Sequence, residues 1–168
     1  MISKEEALRL IKESSKYSHA LIVSSVMRRL ARGLGEDEEK WEIVGLLHDL
    51  DYDRVKDNMT KHGIVTSETL RGRLSEDCLY AIKSHDYRTG YKPKSKLDKA
   101  LIIADTLASI IEKVEKSREL SVEKIKEEIE RVSDKQPWYK DNLGKIRELG
   151  LKIDEVLQLV IENLTCQQ

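Results

Sequence analysis

The sequence predicts an all-α protein, on three observations. Only two prolines, Pro93 and Pro137, interrupt the 168 residues. Apolar residues recur at helical spacing within segments rich in Glu, Lys, Leu, Ile and Ala. No stretch of convincing length alternates apolar and polar residues as a half-buried strand does.

Each element has its own signal. Ser3 with Glu6 forms a capping box ahead of Ala7, Leu8, Leu10 and Ile11, which starts a first helix. A second runs from about Tyr17 to Leu34, with Leu21, Ile22, Val26 and Leu30 on one side, and Gly33 and Gly35 end it. A third runs from about Asp37 to Leu50, offering Trp41, Ile43, Val44, Leu46 and Leu47 for burial. Helical patterns then cover 61–72, 75–85 and 95–116, and the stretch 86–96, with Gly90, Pro93 and several cations, is irregular. Val122, Ile125, Ile129 and Val132 form the stripe of a charged amphipathic helix over 121–134. Two more helical segments, 139–149 and 153–164, follow Pro137. We read residues 1–116 as a compact multi-helix core and 117–168 as a C-terminal helical extension covering it within one domain.

Composition narrows the class. The chain is 39% apolar and 36% charged with a formal net charge of -1, which provides neither a basic surface dedicated to nucleic acid nor an acidic tail. No apolar run approaches the roughly 20 residues that span a bilayer. The segment "MISKEEALRLIKESS" lacks the apolar region of a signal peptide, so a cytoplasmic location is expected. Cys78 and Cys166 are too few and too far apart for a disulfide framework or a paired-cysteine metal site.

The chemistry concentrates in "GLLHDLDYD", residues 45–53. It puts His48 and Asp49 at a buried helix end, where an ionised carboxylate is costly unless something pairs with it or binds it. His19 precedes "ALIV", His62 lies in "TKHGIV", His85 follows "CLYAIKS", and Asp105 is embedded in "ALIIADTLASII". A single helix-end histidine is most often structural. Asp105 is harder to dismiss, because aspartate is a poor mid-helix residue and Ile102, Ile103, Ala104 and Leu107 surround it. Taken together, these imidazoles and carboxylates are suitable ligands for one divalent metal or a metal pair. Asp49, with two oxygens, is suited to bridge two ions. Adjacent residues point about 100° apart on a regular helix, so joint use of His48 and Asp49 favours a helix end that leaves regular geometry.

The ordered set "SHALIV", "GLLHDLDYD" and "LIIADTLASII" resembles the HD-domain superfamily of metal-dependent phosphohydrolases, from about Tyr17 to Ile111. The resemblance implies an HD-domain-like bundle in which His19, His48, Asp49 and Asp105 bind one metal. His62 and His85 resemble the additional histidines of the HDIG-like subgroup and of bacterial symmetrical dinucleoside tetraphosphate hydrolases. There they complete a second metal site or contact phosphate.

The expected function is hydrolysis of a phosphate ester or anhydride of a nucleotide-like small molecule by metal-activated water, with Asp49 and His48 catalytic. The expected cofactor is one or two divalent ions, from among Mn, Fe, Co, Ni, Zn and Mg. Arg88, Lys83 and Lys61 are the candidate phosphate contacts, Arg88 foremost because its planar fork suits phosphate oxygens. Asp53 reads as a partner of the site or as a surface turn. The expected partner is the small phosphorylated substrate, without a membrane, and an oligomer is compatible with the sequence. Two other readings are a non-catalytic nucleotide-binding sensor or scaffold and a di-iron HD-fold oxygenase.

Overall fold

Helix starts follow the side chains placed ahead of each run. In this computed structural model, which describes residues 1–115 and 120–165, Ser3 caps α1 (Lys4–Ile11) by accepting from the Glu6 N–H at 3.2 Å. Asp37 does the same for α3 (Glu38–Leu47), accepting from the Lys40 N–H at 2.9 Å. Between them, α2 (Tyr17–Leu34) ends at Gly35, whose φ of 69° is the left-handed cap that glycine adopts without strain. Among the described residues every regular element is helical.

Two predicted boundaries move. The third helix stops at Leu47 rather than continuing to Leu50, and His48 and Asp49 enter a turn before the short α4 (Tyr52–Val55). Its hydrogen bonds run from Leu50 N–H to Leu47 O and from Tyr52 N–H to Asp49 O, three residues apart instead of four. The expected helix over 61–72 is broken at its start. Met59–Lys61 is a 3₁₀ turn, His62 is extended, and only Ile64–Thr69 (α5) is α-helical. Gly63 causes the break: its φ is 79°, and a β-carbon there would lie 2.4 Å from Ile82 O. Then follow α6 (Glu76–Ser84) and, past the irregular 86–96 segment with its 3₁₀ turn Tyr87–Thr89, α7 (Lys96–Glu115).

The 20-residue α7 is the central element. Its Leu101, Ile103, Leu107, Ile110 and Ile111 are fully buried, and it packs against α2, α3, α6, α8 and α9. Helices α2 and α3 also pack closely, and a β-carbon on Gly45 would stand 2.8 Å from Ser24 Cα. The helices α8 (Val122–Lys135), α9 (Trp138–Glu148) and α10 (Ile153–Thr165) add Ile125, Tyr139, Leu143, Ile146 and Leu157 to the same buried cluster. The expected boundary at 116/117 lies outside the described residues, as does Cys166. Cys78 is a buried free thiol. Among the described residues, no helix is long and apolar enough to cross a membrane.

Candidate metal centre

Asp49 is 5% exposed, and histidines answer its buried charge. Its Oδ1 lies 2.9 Å from His62 Nε2, 3.3 Å from His48 Nε2 and 3.6 Å from His85 Nε2. Its Oδ2 faces the other way, 3.8 Å from His19 Nε2. His19 Nε2 is also 2.9 Å from Asp105 Oδ1. Thus the turn after α3, the first turn of α2, the residue before Gly63, the end of α6 and the middle of α7 bring all six expected ligands together, five of them buried and Asp105 partly exposed. His19, His48 and Asp105 form one potential ligand group, and His48, Asp49 and His85 another, the ligand atoms of each lying within 4.8 Å of one another.

Every imidazole is oriented the same way. His48 Nδ1 lies 2.8 Å from Gly45 O, and His85 Nδ1 lies 2.6 Å from Ile82 O. His19 Nδ1 pairs with Glu112 Oε2 at 3.1 Å, and His62 Nδ1 pairs with Asp51 Oδ1 at 2.8 Å. All four Nδ1 atoms therefore donate to acceptors, which leaves the four Nε2 atoms for the centre. Asp51, fully buried, also accepts from the Gly63 and Thr66 N–H groups at 2.8 Å each.

The donor set fits a divalent cation. His48 Nε2 is buried with no hydrogen-bond partner. His62 and His85 bring Nε2 atoms within 3.2 Å of each other while both Nδ1 atoms are occupied. Two neutral imidazoles held so would oppose lone pairs, and a proton or a metal between them relieves this. The electrostatics agree. Burial works against a charged His19, but Asp105 and Glu112 outweigh it and raise the pKa to about 9. Burial likewise opposes charge on His48 and His62. Asp49 and Asp105 lift His48 to about 10, and Asp49 and Asp51 lift His62 to about 9. Against their own burial, Asp49 is held well below the usual carboxylate range, chiefly by His48, and Asp105 is held down by His19 and His48. The carboxylates are ready to hold positive charge, and a divalent ion would displace those protons.

The centre opens into a cleft of about 430 Å³ that Arg88 borders. Asp86 grips the Arg88 guanidinium with two oxygens, 2.9 Å to Nε and 2.5 Å to NH2. Lys61 is exposed and does not line the cleft, and Lys83 sits 5.1 Å over the Tyr91 ring instead. Lys16 and Lys56 are the other cations on its wall. Asp53 is a surface residue bonded to Ser14 and Ser15. Sequence reasoning missed the two orienting carboxylates, although Glu112 lies seven residues after Asp105, two turns along one face of α7. It also missed Trp138 and Asn142 of α9, which line the cleft without any motif to mark them.

An all-α core that converges four histidines and two aspartates defines a class, helical proteins with a His/Asp cluster that could hold a metal. The family is narrower: the model described as HD domain matches residues 17–110, more than half of the chain, and the protein belongs to that family. The match contains all six converging residues. None of the curated proteins matches the chain. Among solved structures, it resembles a predicted HD superfamily hydrolase involved in NAD metabolism from Clostridium acetobutylicum. That likeness has a TM-score of 0.55 at 22% identity and covers 97% of this chain and 99% of the other. It is a likeness of fold.

Proposed function

We propose that the protein is a metal-dependent phosphohydrolase acting on a phosphate ester or anhydride of a nucleotide-like small molecule. The observation that carries this reading is Asp49, whose two oxygens face four imidazole nitrogens, Oδ1 toward His48, His62 and His85 and Oδ2 toward His19. In this reading His19, His48, Asp49 and Asp105 would hold one ion, and His62 and His85 would complete a second site next to Asp49. A divalent metal supplies water of lowered pKa and neutralises phosphoryl oxygens.

The chain's own groups do the rest. Asp51 and Glu112 fix the His62 and His19 tautomers so that Nε2 carries the lone pair. Arg88, held by Asp86, presents a preset fork to phosphate oxygens, and Lys16 and Lys56 add positive charge on the same wall. Family membership and the fold likeness support hydrolysis. The involvement of the Clostridium protein in NAD metabolism makes dinucleotides with a pyrophosphate link worth testing. The test is release of inorganic phosphate from mononucleotides and simple phosphomonoesters, and of nucleotide products from dinucleoside polyphosphates and NAD, with each of Mn, Fe, Co, Ni, Zn and Mg. Metal-dependent release is expected from at least one class, and none from any class with any ion would end the reading.

A further inference from the structure

We propose that Trp138, on α9 and beyond the matched family stretch, is the platform on which the flat ring of the substrate stacks. The chain has two tryptophans, six tyrosines and no phenylalanine, yet Tyr52, Tyr87 and Trp138 all border this one cleft. Trp138 does not fill the core. It is 40% exposed, while its neighbour Tyr139, at 5%, takes the buried seat.

The indole is nonetheless fixed. It stacks on Tyr139 with ring centroids 3.8 Å apart and 21° between planes, and its N–H donates to Gln136 Oε1 at 3.1 Å. Tyr139 is anchored in turn, its hydroxyl 3.1 Å from Lys113 Nζ. Asn142, four residues on and so on the same face of α9, lines the cleft too and donates to Thr106 Oγ1 at 3.1 Å. That bond ties this face of α9 to the residue after Asp105. One face of the indole is covered by Tyr139, which leaves the other for a ligand.

A rigid, half-exposed aromatic beside a cationic and metal-binding floor suits a two-part ligand. The anionic end belongs at Arg88 and the His/Asp centre, and the flat, weakly polar end at Trp138. The volume of about 430 Å³ falls within the roughly 300–1,000 Å³ of small-molecule sites. An aromatic base joined to a phosphate has this chemistry, and a bare sugar phosphate does not. The inference rests on the phosphohydrolase reading only for where the phosphate lies.

The two tryptophans make the test direct, because Trp41 is 3% exposed and serves as an internal reference. The metal-loaded protein is titrated with adenosine 5′-monophosphate and with ribose 5-phosphate while tryptophan emission is followed. Saturable quenching by the nucleotide alone is expected. In Trp138→Leu the quenching should vanish while Trp41 emission and helical circular dichroism persist. The preference in kcat/KM for the nucleotide over the sugar phosphate should also fall roughly tenfold or more, as removal of a stacking partner does. Equal quenching by both ligands, or none by the nucleotide, overturns the proposal in the unmutated protein, without recourse to a variant. Quenching by the nucleotide without hydrolysis of either probe leaves the platform standing and counts against the phosphomonoester form of the hydrolase reading, and absence of hydrolysis across the anhydrides as well counts against the reading whole. Hydrolysis of both with one kcat/KM does the reverse.

Discussion

Asp49 and Asp51 are two residues apart and do different work. Asp49 gathers histidine nitrogens around a buried charge, so Asp49→Ala should abolish metal-dependent hydrolysis while leaving the helical circular dichroism largely intact. Wild-type activity in that variant would remove Asp49 from the site. Asp51 touches only the rear nitrogen of His62 and two backbone N–H groups. Asp51→Ala should lower metal affinity about 10–100-fold, the usual cost of losing an outer carboxylate. It should also destabilise the fold by about 1–3 kcal/mol, because buried N–H groups lose their acceptor. Calorimetric metal titration and denaturant unfolding measure the two effects separately. The residues that converge were legible in the sequence because each is a polar residue beside an apolar run. Asp51 was not, since "HDLDYD" offers three aspartates and only folding shows that Asp51 turns inward with Asp49 while Asp53 stays at the surface.

At the scale of elements, two glycines set the spacing. Gly45 lets α3 lie against α2, and a β-carbon there would meet the Ser24 backbone first, at 2.8 Å, and the Met27 side chain at 3.1 Å. Gly45→Ala should cost about 1–3 kcal/mol, the usual penalty of overpacking, read as a lower denaturant midpoint. Activity should fall as well, because Gly45 O orients His48. An unchanged midpoint would show that the two helices separate freely. Gly63→Ala combines a positive φ with a clash at Ile82 O, the acceptor that orients His85. Helix existence was legible from periodicity and capping residues such as Ser3 and Asp37. The ends of the third helix and of the 61–72 segment were not, because tertiary bonds to Asp51 and the approach of Gly63 to α6 decide them.

For the whole molecule, the six converging residues come from segments as distant as His19 and Asp105, so a metal held by them would support the fold. Holding free metal at 100 times its Kd should stabilise the folded state by about 2.7 kcal/mol, and a chelator should remove the gain. Thermal unfolding with and without metal reads this, and a Tm indifferent to every divalent ion would contradict a metal centre. The all-α class and the line-up of "SHALIV", "GLLHDLDYD" and "LIIADTLASII" were legible from the start. The cleft was not: Trp138 follows Pro137 in a segment with no motif, and only the docking of α9 on α7 brings it to the metal side.

The rear bonds of the four histidines also imply an order in time. His48 and His85 are held by carbonyls three residues earlier in their own helices, so their rings are set as soon as those helix ends close. His62 waits for Asp51 across a turn, and His19 waits for Glu112, 93 positions away. Local helix formation is fast, and long-range closure is slow. On that basis two of the four imidazoles would be oriented early in folding, and a cation held by the whole set would be captured late.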